Sequence, residues 1–227
     1  MTRVLFIHGL ESGPNGRKPV SLREQGYDVE SELMPCGRSR ALRDPAVLAG
    51  AGLTLAAITW ATARRGLRGL AGGVSLAAAL GPLAKAAITR RAFSRSVAVQ
   101  RRALARSPID VVMGSSFGGA VALRLLQSGA WSGPTVLLCP AHELVADRAR
   151  GPVPAPLSAL PPSVAERVLV VHARQDAVVP IEHSRRLVAG SRARLIEVDD
   201  DHPLTATSSG AQLGAWIDEA LGRSPIA

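Results

Sequence analysis

The run Gly114-Ser115-Ser116-Phe117-Gly118-Gly119 follows directly on the apolar stretch Ile109–Met113 and leads into the helical stretch Ala120–Gln127. A serine with a glycine two positions to either side, at a strand-to-helix turn, is the G-x-S-x-G arrangement that exposes a hydroxyl for nucleophilic attack. Glycine register selects the serine. Ser116 is flanked by Gly114 and Gly118, whereas Ser115 is flanked by Met113 and Phe117. Small flanks are required because a side chain at either position would collide with the neighbouring strand or helix.

A serine hydroxyl is a weak nucleophile at neutral pH and needs a base, which in turn needs a carboxylate to hold its tautomer. His202 lies in Asp199-Asp200-Asp201-His202-Pro203-Leu204, after the last apolar run and before a final helical run, where a loop can swing an imidazole over strand ends. The other histidines suit the role less well. His8 precedes the serine, His142 has no adequate acid between it and the serine, His172 ends a strand and reads as structural, and His183 reads as a surface residue. For the acid, Asp176 sits just beyond the buried run Val168–Val171, and Glu143, after the preceding strand, competes with it. The run Asp199–Asp201 reads as solvated.

The elements that must position these groups follow from short apolar runs ending in Gly, Pro or Asp. They predict strands at Val4–Ile7, Tyr27–Leu33, Ile109–Met113, Thr135–Leu138, Arg167–Val171 and Arg194–Val198. Helical stretches such as Ala120–Gln127, Ile181–Ala189 and Gly210–Leu221 alternate with them. Such alternation predicts an α/β fold: a mainly parallel, doubly wound sheet of about six strands with right-handed crossovers. Prolines 152, 154, 156, 161 and 162 predict an extended surface loop over 151–162. A length of 227 residues suits a single domain, 1–227. Only 3% of residues are aromatic against 47% hydrophobic, so the core must be built from Ala, Val, Leu and Ile.

With serine, acid and histidine in three loops in that chain order, the sequence resembles the α/β-hydrolase superfamily over nearly the whole chain outside one insertion. The resemblance implies a serine hydrolase with Ser116, Asp176 and His202 as its triad. It also implies an oxyanion hole from the backbone N–H groups of Leu10, at the end of Leu5-Phe6-Ile7-His8-Gly9-Leu10, and of Phe117. More narrowly, His8-Gly9-Leu10-Glu11-Ser12-Gly13-Pro14-Asn15-Gly16-Arg17-Lys18 is similar to the opening of small bacterial YqiA-type esterases. Their first loop reads approximately H-G-[FL]-x-S-x-P with a Lys soon after. That likeness implies a minimal domain acting on an ester or thioester. Serine rather than aspartate at position 116 argues against dehalogenase or epoxide-hydrolase chemistry.

The insertion lies between the second and third strands, over about 43–92, with Ser94–Arg106 expected as an ordinary amphipathic helix leading back to the sheet. It holds two uncharged stretches, Pro45–Ala63 and Gly69–Ala84, separated by Arg64-Arg65-Gly66-Leu67-Arg68. Residues 45–107 contain ten Lys or Arg and no acid, whereas the rest of the chain has 17 basic and 18 acidic residues. The excess positive charge therefore belongs to this segment, and an anionic partner should meet it. A helical cap over the active-site face and a lipid-contacting hairpin both remain open; the arginines between the stretches count against a two-pass span under the positive-inside rule. Nucleic acid is not expected, because stacking aromatics and a binding motif are missing. An apolar cap or hairpin favours hydrophobic acyl substrates. A different class of protein, a catalytically silent hydrolase fold serving as a membrane-associated or partner-binding module, is disfavoured because all three triad positions are filled.

No Walker loop, dinucleotide fingerprint or metal-ligand spacing occurs, so no cofactor and no metal is expected. Cys36 and Cys139 read as buried reduced thiols. The four-residue apolar run at Val4–Ile7 is too short for a secretory signal, so the expected location is cytoplasmic, with the basic edge suited to the inner face of the membrane.

Overall fold

The computed structural model describes residues 1–10, 12–37, 43 and 45–223. Glu11 of the first loop and position 44 in the expected insertion lie outside the described residues. Six strands form one sheet: β1 (Arg3–Ile7), β2 (Asp28–Glu30), β3 (Val111–Ser115), β4 (Thr135–Leu138), β5 (Val168–Ala173) and β6 (Arg194–Val198). Their order is β2-β1-β3-β4-β5-β6, and every pairing is parallel. This is the expected fold class.

Period-two alternation explains why the sheet is covered on both faces. Leu5, Ile7, Val112, Leu137 and Val170 point into one core. Val4, Phe6, Met113, Val136, Leu138 and Val171 point into the other. The second core is closed by α1 (Arg17–Glu24) through Leu22 and by α7 (Gly210–Ala220) through Leu213, Trp216 and Ile217. The first is closed by α3 (Phe117–Gln127), whose residues from Phe117 to Leu126 are all buried except Arg124. α4 (His142–Ala149) and α6 (Ile181–Val188) add Val145 and Leu187 to it.

Several elements differ from the sequence expectation: β2 is only Asp28–Glu30 where Tyr27–Leu33 is expected, and β5 runs two residues past Val171 to Ala173. β3 is shifted two residues later and runs up to Ser115, because its pairing continues to Ile7↔Gly114 on one side and Ser115↔Leu138 on the other. The proline-rich segment ends in a 3-10 turn, Leu157–Ala159, followed by α5 (Pro162–Ala165), which carries a proline at its first turn, where the missing N–H costs nothing.

The insertion is one element with the helix that follows it. α2 spans Pro45–Arg106 and is broken only at Gly66, whose φ of 55° and ψ of −141° open it into two arms. That backbone conformation is readily reached by glycine alone. The arms, 45–65 and 67–106, fold back on one another: a methyl group at Gly73 would lie 3.1 Å from Ile58 Cγ1. Gly81-Pro82 does not interrupt the second arm. Its C-terminal part joins the first core through Phe93, Val97, Ala103 and Leu104. No described side chain between 45 and 85 is buried.

Candidate active site

The turn after β3 is built by close approach. A Cβ on Gly118 would sit 1.9 Å from the Ile7 carbonyl oxygen, and one on Gly114 would sit 2.5 Å from the Gly118 oxygen. Ser116 between them adopts φ 55° and ψ −115°, a conformation costing a side-chain-bearing residue about 1–3 kcal/mol. Backbone bonds hold it there: its N–H donates to Leu138 O at 2.8 Å, and its carbonyl accepts from Ala141 at 3.0 Å and Ala120 at 3.2 Å. The strain lifts the hydroxyl above the strand ends.

His202 Nε2 lies 2.9 Å from Ser116 Oγ, and its Nδ1 lies 2.7 Å from Asp176 Oδ2. The carboxylate can only accept, so Nδ1 carries the hydrogen and Nε2 is left to accept the serine proton. Asp176 is held in turn by the amides of Val178 and Val179, each donating to Oδ1 at 2.8 Å. Burial alone would raise its pKa, but hydrogen bonds from His172, His202 and the two amides outweigh burial and hold the carboxyl well below the usual carboxylate range. Glu143, the competing acid, is engaged elsewhere, accepting a bidentate pair from Arg186 at 3.1 and 2.8 Å.

Three residues that sequence reasoning left outside the site touch it. His172 is fully buried; its Nε2 donates to Val179 O at 2.9 Å and stands 3.3 Å from Asp176 Oδ2, while its Nδ1 accepts from the Ser184 hydroxyl at 2.7 Å. The Cys139 thiol lies within 4.8 Å of the same carboxylate, and burial above all pushes its pKa up to about 12. His8 is also fully buried: Nδ1 donates to Gly9 O at 2.7 Å, and Nε2 accepts from the Met34 amide at 3.3 Å. It shapes the first loop where that loop meets the nucleophile, since a Cβ on Gly9 would lie 3.5 Å from Ser116 Cβ. His172 is the penultimate residue of β5, and Cys139 and His8 are the first residues after β4 and β1, but their convergence is set by sheet order, which local sequence does not display.

Phe117 directly follows Ser116 at the first turn of α3, and among the described residues no hydrogen bond is made by the Leu10 or the Phe117 amide. The first loop also grips the histidine loop. Arg17 donates to Thr205 O at 3.0 Å, Leu204 O at 3.2 Å and Ser208 Oγ at 2.9 Å, and Lys18 Nζ donates to Pro203 O at 2.5 Å. Asp200 closes the loop internally by accepting from the Thr207 amide and hydroxyl, both at 2.8 Å.

Cys139, Asp176 and His202 offer ligand atoms within 4.8 Å of one another, a grouping that sequence spacing did not suggest. Their chemistry fits hydrogen bonding better than a metal. His202 Nδ1 already donates to Asp176, and a metal held by these atoms would have to displace that hydrogen bond. A cavity of about 780 Å³ opens between α2, α3, α4 and the proline-rich loop. Phe93, Val97, Ala120 and Val145 form part of its wall together with Arg90, Arg101, Arg124 and Gln127, and none of Ser116, Asp176 and His202 lines it.

No protein-family model matches the chain, and no curated protein resembles it at a significant level. Solved structures do. A candidate hydrolase of the alpha/beta superfamily from Xanthomonas campestris pv. campestris aligns over 98% of this chain and 99% of its own, at 22% identity and a TM-score of 0.54. Est1E from Butyrivibrio proteoclasticus, solved with ferulic acid bound, aligns over 98% of this chain and 89% of its own, at 14% identity and a TM-score of 0.58. An alpha/beta hydrolase enzyme from a lagoon-sediment metagenome of Mar Chica, Morocco, aligns over 96% and 91%, at 13% identity and a TM-score of 0.58. The chain therefore has the α/β-hydrolase fold.

Proposed function

We propose that this protein is a serine hydrolase that cleaves carboxylic ester or thioester bonds through an acyl-enzyme on Ser116. The observation that carries the reading is the unbroken relay from Ser116 Oγ through both ring nitrogens of His202 to Asp176, at 2.9 and 2.7 Å. Ser116 Oγ attacks the carbonyl carbon as its proton passes to His202 Nε2. The electron pair displaced onto the carbonyl oxygen is stabilised by the amides of Leu10 and Phe117, and Asp176 stabilises the imidazolium. Collapse of the tetrahedral species expels the alcohol or thiol, which takes its proton from His202. A water, deprotonated by the same nitrogen, then releases the carboxylic acid and restores Ser116.

Hydrophobic acyl groups are the favoured substrates. The uncharged apolar stretches Pro45–Ala63 and Gly69–Ala84 of α2 support this, as does the fold neighbour holding ferulic acid, itself a carboxylic acid of the kind such a reaction releases. A fluorophosphonate probe tests the mechanism. Wild type is expected to label and Ser116→Ala to lose labelling, with kcat on a p-nitrophenyl acyl ester falling by about 10⁴-fold or more. Folded wild type that neither labels nor turns over any ester in a series of chain lengths would leave a silent fold, and better turnover of acetyl than of medium-chain esters would remove the hydrophobic preference.

A further inference from the structure

The outer part of α2 is built for a solvent other than water. Both arms are long and apolar enough to cross a membrane, and 0% and 6% of their most apolar windows are buried. A helix of this kind in a water-soluble protein is normally a core helix, yet Leu53 is 73% exposed and Leu55 66%. The segment stands between two strands of one sheet, which separates it from any leader sequence. It presents no polar face: Pro45–Ala63 and Gly69–Ala84 carry no charge. The hydroxyls of Thr54, Thr59 and Thr62 donate to carbonyls one turn back, at 2.9, 2.9 and 2.8 Å. A helix apolar around its whole circumference, with its hydroxyls satisfied internally, matches hydrocarbon surroundings.

Length and charge identify the occupant. From the neck at 45 and 85 to the turn at Gly66, each arm is about 20 residues, or roughly 30 Å, enough apolar length to lie buried along one leaflet, with the turn arginines that count against a two-pass span kept among its headgroups. Basic residues mark both ends: Arg64, Arg65 and Arg68 at the turn, and Lys85, Arg90, Arg91 and Arg95 at and beyond the neck. At the turn, the Arg64 guanidinium lies 4.7 Å from the ring centre of Trp60, an aromatic–basic pair suited to a headgroup interface. A second copy of this chain would bring like charges together, because residues 45–107 contain no acid. Anionic headgroups complement them.

The hairpin also leaves the body at the catalytic end. α2 returns toward β3 from the side of the strand tips, and the Phe93 ring meets Phe117, next to the nucleophile, edge-on at 5.9 Å. We propose that the α2 hairpin inserts into an anionic lipid bilayer and holds the Ser116 end of the sheet against it, so that the substrate is an acyl ester or thioester resident in the lipid phase. The substrate half rests on the serine-hydrolase reading; the insertion half stands without it.

The test is flotation of the full-length protein with vesicles of phosphatidylcholine alone or mixed with phosphatidylglycerol. Wild type and Ser116→Ala are both expected to float with the anionic vesicles and to stay bound through a high-salt wash. The double variant Leu53→Asp, Leu55→Asp should keep its circular dichroism and fluorophosphonate labelling while the bound fraction falls about tenfold or more. Wild type that stays at the bottom of the gradient, or sediments as a discrete lipid-free oligomer indifferent to vesicles, overturns the proposal. Equal flotation with neutral vesicles overturns the role given to charge. For the substrate half, the double variant should lose about tenfold on an ester embedded in vesicles and nothing on a soluble ester of the same chain. Equal loss on both, or on neither, overturns that half. Flotation without any hydrolysis sinks the enzyme reading and leaves insertion standing.

Discussion

Asp176 accepts hydrogen bonds from His202 and from the Val178 and Val179 amides, with His172 and Cys139 completing its surroundings. These donors depress its pKa below the value of about 3.9 that an aspartate has in an unfolded chain. Its contribution to stability is therefore fully present above about pH 4 and is lost as the pH falls further toward the folded pKa. Asp176→Asn should lower kcat by about 10³–10⁴-fold and flatten the fall of Tm between about pH 4 and pH 2, as followed by thermal melts. Parallel Tm losses in wild type and variant would show that the carboxylate is not the group titrating. At this scale the sequence was unevenly informative. Glycine register singled out Ser116, and loop position singled out His202, but Asp176 was separated from Glu143 only by preference. What separates them in space is the Arg186 pair on Glu143, which joins residues 43 apart in the chain.

The histidine loop and the loop after β1 behave as one unit at the level of elements. Arg17 crosses to three groups of residues 204–208 and Lys18 to Pro203, so the segment that offers Leu10 also fixes the loop that aims His202. Arg17→Ala should lower kcat by about tenfold with little change in KM, because substrate binding does not use the guanidinium. Steady-state kinetics on one ester check this, and a change confined to KM would place Arg17 in substrate recognition instead. The Arg17-Lys18 pair was visible in the first-loop motif without a role, since its acceptors are backbone carbonyls nearly two hundred residues away. The α2 boundary was misjudged for a different reason. The sequence ends the insertion near 92 and begins a separate helix at Ser94, yet one helix runs through that point to Arg106, and the break falls at Gly66, inside the basic turn, where the chain needs a positive φ.

Across the whole molecule, composition already divided the chain into a near-neutral body and a basic, apolar segment, and the parallel sheet followed from the alternation of strands and helices. How the segment joins the body was not readable, because it depends on the register of one arm against the other. Gly73 faces Ile58 across the Gly66 turn. Beyond that contact, towards the body, no described side chain is buried before Ala86 in the second arm or in the first arm down to Pro45. The hairpin is thus an exposed addition to the connection between β2 and β3, a graft on the body. Excising 47–84 and closing the gap with a few glycines shortens the connection between β2 and β3 and removes no buried described side chain, so closure should cost little. The trimmed chain is expected to melt cooperatively, to label with fluorophosphonate and to remain dispersed without lipid. A trimmed chain that aggregates or fails to label would show that the hairpin scaffolds the body. If the graft lifts out cleanly, lipid attachment and hydrolysis are separable inheritances, and the neck at 45 and 85 is where an ancestor without the hairpin would have been closed.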